Sequence, residues 1–168
     1  MIVVDVETGG LDPQNNPLLS IGAVDYDNSD REYYGKIAPY LDLEITKEAL
    51  GVNGINVEEW KENNLLKETI QEFSDWVGVN KKNIILAGHN PRFDLDFLKV
   101  NFKRVDISFP FTYRTVDLHT LAYSKFGGKE KLTSDRIYEL LGMEIEPRPH
   151  NALTGAKYET KAFSLLKI

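Results

Sequence analysis

The stretch Ile2-Val-Val-Asp-Val-Glu-Thr-Gly-Gly10 places two acidic residues inside what is otherwise the pattern of a buried strand. Side chains alternate across a strand, so Asp5 and Glu7 share one face. Two adjacent carboxylates at a strand end repel each other, and burial penalises both charges. A divalent cation, Mg²⁺ or Mn²⁺, would remove that penalty because hard cations prefer carboxylate oxygens. The alternative is one exposed acid and one acid that caps the following turn.

The composition is typical of an ordinary soluble protein, with 168 residues of which 42% are hydrophobic and 27% are charged. This length predicts one domain, residues 1–168, with a sizeable core. The absence of cysteine excludes disulfides, thiolate metal sites and cysteine nucleophiles. The net charge of −6 argues against an extended, non-specific grip on duplex DNA. Since no apolar run approaches roughly 20 residues, we expect no membrane partner and a cytoplasmic location.

Hydrophobic periodicity predicts a strand meander followed by alternating helices and strands. The predicted strands are 2–6, 20–26, 32–38, 84–87 and 112–116, with 27–30 as a hairpin turn. The predicted helices are 46–51, 57–77, about 91–102, 117–126, 133–141 and 152–166. This order of elements predicts an α/β fold with one mixed sheet flanked by helices.

A second cluster, Gly88-His-Asn-Pro-Arg-Phe-Asp94, begins where an apolar strand ends. Pro91 suits the first turn of a helix, which places Asp94 one turn in. Asp94 can then face the acidic pair of the first strand as a third carboxylate. The alternative is an acid that is favoured simply because it lies near a helix N-terminus. Asp96, two residues further on, is predicted to be surface charge.

The third cluster, Pro147-Arg-Pro-His-Asn-Ala152, places His150 in a proline-stiffened loop before the last helix. A neutral imidazole can take a proton from a metal-bound water, because its pKa is close to working pH. The alternative for a lone histidine is a surface or hydrogen-bonding role.

Taken together, the three clusters resemble the DEDDh exonucleases of the ribonuclease H-like superfamily, which include RNase T and the proofreading subunits of bacterial replicative polymerases. The family pattern combines an acid-x-Glu strand motif, a Gly-His-Asn…Phe-Asp motif and a terminal His-x-Ala-x-x-Asp motif. The matching residues are Asp5-Val-Glu7, Gly88-His-Asn90 with Phe93-Asp94, Thr115-Val-Asp117 and His150-Asn-Ala152. The resemblance implies a ribonuclease H-like fold with a central mixed five-stranded sheet.

The resemblance also implies a metal-dependent 3′–5′ exonuclease that removes nucleoside monophosphates from the 3′ ends of DNA or RNA. It implies the catalytic residues Asp5, Glu7, Asp94 and His150, with the three acids holding two Mg²⁺ or Mn²⁺ ions and the histidine as general base. The partner would be a single-stranded or frayed 3′ end, with a homodimer or a polymerase as further partners. Contacts to that end are expected from Thr8, Gly9, Leu11, His89 and Asn90.

The chain departs from the family pattern at the last aspartate, because that position is Gly155. Three explanations are open: a natural variant with a weakened site, an introduced substitution that disables the enzyme, or compensation by Glu159 one helical turn further on. We favour a weakened or disabled site, because an acid one turn away would need a considerable shift to reach the metal.

Two other functions compete with the exonuclease. A catalytically inactive protein of the same fold would bind a 3′ end without cutting it. Phosphatases of the haloacid dehalogenase type also begin with an acid-rich strand, but they need a second aspartate where this chain has Glu7.

Overall fold

The structure is a computed structural model that describes residues 1–78, 83–128 and 131–167. The described residues form five strands: β1 (Ile2–Thr8), β2 (Leu18–Asp25), β3 (Asn28–Lys36), β4 (Ile84–Gly88) and β5 (Phe111–Asp117). They also form seven helices: α1 (Lys47–Asn53), α2 (Val57–Trp60), α3 (Leu66–Val77), α4 (Pro91–Arg104), α5 (Leu118–Phe126), α6 (Ser134–Leu140) and α7 (Ala152–Leu166).

The strands form one mixed sheet in the order β3-β2-β1-β4-β5. The first three strands pair antiparallel as a meander, and β4 and β5 continue the sheet in parallel with β1. The predicted mixed five-stranded sheet flanked by helices is therefore confirmed. In the described part of the chain, no helix is both long enough and apolar enough to span a membrane. The cytoplasmic location and the single domain over 1–168 stay predictions.

Two hydrophobic cores lie on opposite faces of the sheet. Val4 and Val6 belong to the core that contains α3 and α4, whereas Val3 belongs to the core that contains α5, α6 and α7. This alternation along β1 is the one that the sequence predicts. It turns the side chains of Asp5 and Glu7 toward the α7 side of the sheet.

The last half of β1 extends beyond its parallel neighbour. The β1–β4 ladder contains only the pairs Ile2–Leu86 and Val3–Ala87, and β4 ends at Gly88. We call this place, where residues 4–8 pass the end of β4, the notch. Backbone groups of β1 that face the notch need partners from outside the sheet, because buried N–H groups are costly to leave unpaired.

The helix predicted over 57–77 is interrupted in the structure. It is divided into α2 and α3 because the residues between them bond elsewhere. The Asn63 side chain donates to the Trp60 carbonyl at 2.8 Å, and the Asn64 carbonyl accepts the Ala38 N–H at 2.9 Å. Asparagine competes for backbone groups in this way and so disfavours a helix interior. The β2–β3 turn is also tighter than predicted, since β3 already begins at Asn28.

Gly22 determines how closely α7 approaches the sheet. It lies opposite Asp5 in the β1–β2 ladder, and a Cβ atom there would lie 2.1 Å from the backbone carbonyl of Ala152. The start of α7 therefore packs directly onto the backbone of β2, one strand away from Asp5. A side chain at position 22 would push the helix away from the site.

We expect Gly22→Ala to lower the free energy of unfolding by about 3 kcal/mol, since the new methyl group overpacks a backbone contact. Gly51→Ala is the matched control, because within 4 Å a Cβ atom there would meet no described atom beyond its two neighbours in the chain and the backbone of its own helix. Replacing a glycine within α1 should instead stabilise the chain by about 0.5 to 1 kcal/mol. Urea denaturation measures both changes. Equal stabilities for the two variants would contradict the close packing of α7.

Candidate active site

Asp94 reaches the notch from α4. Asn90 precedes the helix in the left-handed region at φ 58°, and Pro91 then starts the first turn as predicted. The Asp94 side chain is 5% exposed, and its Oδ1 accepts the N–H of Val6 at 3.1 Å. The notch therefore holds Asp94 beside the second half of β1, where Asp5 and Glu7 lie. Asp96 is surface charge, as predicted, and pairs with Arg92 at 3.0 Å.

Glu159 enters the same region from α7. The residue is 6% exposed, and its Oε1 accepts the N–H of His89 at 3.0 Å, just after the end of β4. Its second carboxylate oxygen, Oε2, is buried and has no hydrogen-bond partner among the described residues. Asp94 and Glu159 are thus each anchored to a backbone N–H at the notch, one from α4 and the other from α7.

Glu146 is a further buried acid near the site, and no sequence pattern indicated it. It lies in the loop before α7, and its Oε2 is 3.6 Å from Nδ1 of His150. Its Oε1 is buried without a partner in the described part of the chain. The neighbouring Glu144 is exposed. No local pattern marks one of these two glutamates as the buried one, so only tertiary packing distinguishes them.

Burial, together with the charge of neighbouring acids, raises the pKa of the carboxyl groups at the site. Burial, followed by the charge of Glu146, raises the pKa of Glu7 to about 7. Burial raises the pKa of Asp94 to about 8, with a smaller contribution from Glu7. The pKa of Asp5 lies well above its usual range because of burial and then the charge of Glu159. Burial and then Asp94 likewise raise the pKa of Glu159. The site therefore favours either protonated acids or a bound cation.

The chemistry of these donors fits a hard divalent cation. Within residues 1–78, 83–128 and 131–167, Asp5, Glu7, Asp94 and Glu159 form no ion pair with lysine or arginine, and Oε2 of Glu159 is unpartnered. All the donors are oxygens, as Mg²⁺ and Mn²⁺ prefer. In the same ranges, no three His, Asp or Glu side chains stand ready to hold one metal ion. Binding would therefore require the side chains to turn toward a common point.

His150 and Glu7 line the same cavity. This cavity has a volume of about 320 Å³ and also contains Tyr34 and Lys36. The backbone N–H of His150 donates to the Val52 carbonyl at 3.3 Å, which fixes the loop ahead of α7. Burial, and then the positive charge of Arg148, lower the pKa of His150 below its ordinary value. The imidazole is therefore neutral at pH 7 and able to accept a proton.

A second cavity, of about 300 Å³, also borders Glu7. It is lined largely by apolar side chains, including Leu11, Val52 and Phe93. Leu11 stands at its rim and is 85% exposed. Glu7 lines both cavities, whereas Asp5, Asp94 and Glu159 line neither of them.

The glycine turn after β1 has a defined internal structure. Thr8 lines the second cavity, and its hydroxyl donates to the Gly10 carbonyl at 2.7 Å. The Gly9 N–H donates to the Pro17 carbonyl at 2.8 Å, and a Cβ atom at Gly9 would lie 2.6 Å from the Pro17 ring. Close packing therefore explains this glycine, and contact of Thr8 and Gly9 with a nucleic acid stays a prediction.

His89 and Asn90 have structural partners beside β4. The His89 ring packs edge-on against His119 at 5.9 Å, and the Asn90 N–H donates to Oδ1 of Asp117 at 3.2 Å. Neither residue is among those that line the two cavities beside Glu7. Their predicted contact with a nucleic-acid strand stays a prediction.

Gly155 lies against Asp5. A Cβ atom at position 155 would be 2.1 Å from Oδ2 of Asp5, which is an overlap. The Asp5 carboxylate thus occupies the space in which a side chain at position 155 would begin.

Comparison with known proteins identifies the family. A family model described as Exonuclease (RNase T) matches residues 2–163. The PolC-type DNA polymerase III of Thermotoga petrophila is 32% identical over 168 residues, and that of Thermotoga maritima is 33% identical. Each alignment covers 96% of this chain but 11% of the relative, so the chain spans about a tenth of the length of these polymerases.

Solved structures share the fold. E. coli Exonuclease I superposes with a TM-score of 0.84 at 15% identity, over 99% of this chain and 40% of that chain. The nuclease domain of 3′hExo, a DEDDh family member bound to rAMP, gives 0.76 at 14% identity, over 96% and 88%. Similarity at this identity shows the fold alone, whereas the family match covers nearly the whole chain. The chain therefore belongs to the RNase T family of exonucleases.

Proposed function

We propose that the chain hydrolyses the terminal phosphodiester bond at the 3′ end of a DNA or RNA strand in a metal-dependent reaction. The observation that carries this proposal is the gathering of Asp5, Glu7 and Asp94 at one notch of the sheet. These acids come from parts of the chain about 90 residues apart, and Asp94 is fixed there by the Val6 N–H. An uncompensated group of buried carboxylates is costly unless something positive joins it.

Asp5, Glu7 and Asp94 would hold two divalent cations, Mg²⁺ or Mn²⁺. When bound, such ions lower the pKa of a water molecule and offset the negative charge of a phosphate. They would also relieve the repulsion that raises the pKa of the three acids. The donor set supports this assignment through its oxygen chemistry and its burial.

His150 would serve as the general base. During hydrolysis the water oxygen bonds to phosphorus, the bond from phosphorus to the 3′ oxygen breaks, and the water proton passes to His150. Since Nδ1 faces Glu146 at 3.6 Å, Nε2 is the nitrogen available for that proton. The products are a nucleoside 5′-monophosphate and a shortened strand, whose 3′ oxygen takes a proton from solvent. The shared cavity of His150 and Glu7 supports this role.

The two cavities supply places for the substrate. The apolar cavity with Leu11 and Phe93 would receive the terminal base, because base faces are covered well by apolar and aromatic side chains. The cavity with His150 also contains Lys36, whose charge would attract a phosphate. The turn at Thr8 and Gly9 would bring the backbone close to the terminal nucleotide, with His89 and Asn90 as more distant contacts.

A polymerase is the partner that we propose. The relatives named above are PolC-type DNA polymerases, which supports a DNA strand as substrate and a polymerase as the assembly in which the chain works. A homodimer is a further proposal, made from the family resemblance.

A second function is binding of a 3′ end without cleavage. It is favoured by Gly155, which has no carboxylate to offer, and by the absence of a ready three-ligand metal arrangement in the described residues. The two functions differ in one measurable respect, namely the release of mononucleotides.

With Mn²⁺ present, we expect a 3′-labelled single strand to release labelled mononucleotide at once and a 5′-labelled strand to shorten stepwise. Asp5→Asn should lower the rate by at least about 100-fold, because the substitution removes the negative charge of a proposed metal ligand. Asp96→Asn is the matched control and should change nothing, since that acid is exposed and paired with Arg92. Gel electrophoresis of DNA and RNA strands gives the rates. Binding without cleavage would favour the second function, and neither binding nor cleavage would refute both.

We expect Leu11→Ala to raise KM for a single strand about fivefold with little change in kcat. A half-covered leucine contributes about 1 kcal/mol to apolar contact, and Leu11 is too exposed to stabilise the fold. Leu65→Ala is the control, because Leu65 is also exposed but lines neither cavity beside Glu7. Steady-state kinetics separate KM from kcat. An equal KM for both variants would contradict a base in the apolar cavity.

In EDTA, we expect the melting temperature to fall by up to about 20 °C between pH 5 and pH 8. Burial and nearby charge raise the pKa of Glu7 to about 7 and of Asp94 to about 8. Over this range the folded chain binds more protons than the unfolded chain, so stability falls as pH rises. Each pKa unit is ~1.4 kcal/mol, and each kcal/mol moves Tm by about 3 °C. Calorimetry measures the slope, which Asp94→Asn should reduce. A flat profile in the unmodified chain would contradict the acid cluster.

A further inference from the structure

We propose that Glu159 supplies the carboxylate that the family pattern places at position 155, and so completes the metal-binding group. This inference rests on the proposed function, because it assigns one more acid to the same cations. It explains how a chain with glycine at the last acidic position can retain a four-acid site.

The geometry of α7 brings the two positions together. Residues four apart in an α-helix lie on one face, about 6 Å apart along the axis. Helical side chains lean toward the N-terminus of the helix, so a residue covers the turn before its own Cα. The longer side chain of Glu159 therefore leans back toward the turn that contains Gly155. This lean reduces the shift that an acid one turn away would need.

The carboxylate of Glu159 already lies in the acid cluster. The N–H of His89 donates to Oε1 at 3.0 Å, which anchors one of the two oxygens of the carboxyl group. Gly88 leaves room for Oε2, since a Cβ atom there would be 3.3 Å from that oxygen. Asp94 and Asp5 are among the charged groups around it. One oxygen is thus anchored and the other is free among acids.

The unpartnered oxygen points to a ligand independently of the acid cluster. Glu159 is 6% exposed, and no described residue bonds to Oε2. A buried polar atom without a partner is unusual in a folded protein and calls for an unseen ion or water. Beside two other carboxylates, a cation satisfies this oxygen better than a neutral donor does.

Gly155 is the position from which the family acid is missing, and its lack of a side chain affects Asp5. With Oδ2 of Asp5 only 2.1 Å from the place of a Cβ at position 155, a side chain there and the present position of Asp5 exclude each other. Loss of the side chain at 155 lets Asp5 lie against α7, and Glu159 supplies the missing charge from the next turn. The two positions together keep the number of acids at four.

The test is a Mn²⁺ titration followed by thermal unfolding, with nuclease assays alongside. Glu159→Gln keeps an oxygen for the His89 N–H but removes the charge. We expect this variant to bind Mn²⁺ at least about 10-fold more weakly than the unmodified chain. Its kcat should also fall. Asp96→Asn, an exposed acid, should bind Mn²⁺ like the unmodified chain. Gly155→Asp in the Glu159→Gln background should restore much of the affinity, because the acid returns to the family position.

Controls keep the outcomes separate. Metal-free melting shows whether Glu159→Gln is folded; if it is not, Glu159→Asp replaces it and should weaken Mn²⁺ binding by shortening the reach. Unchanged Mn²⁺ affinity in the glutamine variant, with activity retained, would overturn the inference and leave the proposed function intact. A loss seen only in Glu146→Gln would also overturn it, in favour of Glu146. If Mn²⁺ stabilises neither the unmodified chain nor Gly155→Asp and neither cleaves, the proposed function itself fails.

Discussion

Repulsion among buried carboxylates at the end of β1 is the constraint on which the site depends. The fold holds the carboxylates close together despite this repulsion, because Asp94 and Glu159 each accept a hydrogen bond from a backbone N–H at the notch. Those N–H groups belong to Val6 and His89, beyond the point where the pairing of β1 with β4 ends. Each bond satisfies a donor that would otherwise be buried and unpaired. The same two bonds bring like charges together, and a bound cation would offset their repulsion.

The two hydrophobic cores keep this costly arrangement in place. One core holds α4 against the sheet and the other holds α7, so neither acid-bearing helix can retreat from the notch. Gly22 adds to this by letting the start of α7 rest on the backbone of β2. Apolar burial over both faces far outweighs the repulsion of a few acids. The hydrophobic burial on both faces of the sheet therefore offsets the unfavourable repulsion at the site.

The sequence was sufficient wherever the signal was local. Alternation with period two predicted that Asp5 and Glu7 share one face of the strand, and the proline after β4 placed Asp94 one turn into a helix. It was insufficient where tertiary contacts decide. The break after α2 depends on backbone bonds that Asn64 makes to the chain after β3. The burial of Glu146 depends on how the loop before α7 packs, which periodicity does not describe.

Gly155 shows that the space at a motif position matters as much as the residue type at that position. By position, glycine removes an acid and predicts a weakened site. In terms of space, glycine leaves room where a side chain would begin, and the Asp5 carboxylate lies there. An acid from the next helical turn is buried beside that carboxylate, with one oxygen fixed and one free. Any carboxylate that can reach a bound cation can supply the negative charge that balances it. Each such charge changes the electrostatic free energy of all the neighbouring acids. The residue number that supplies it matters less than the reach of the side chain.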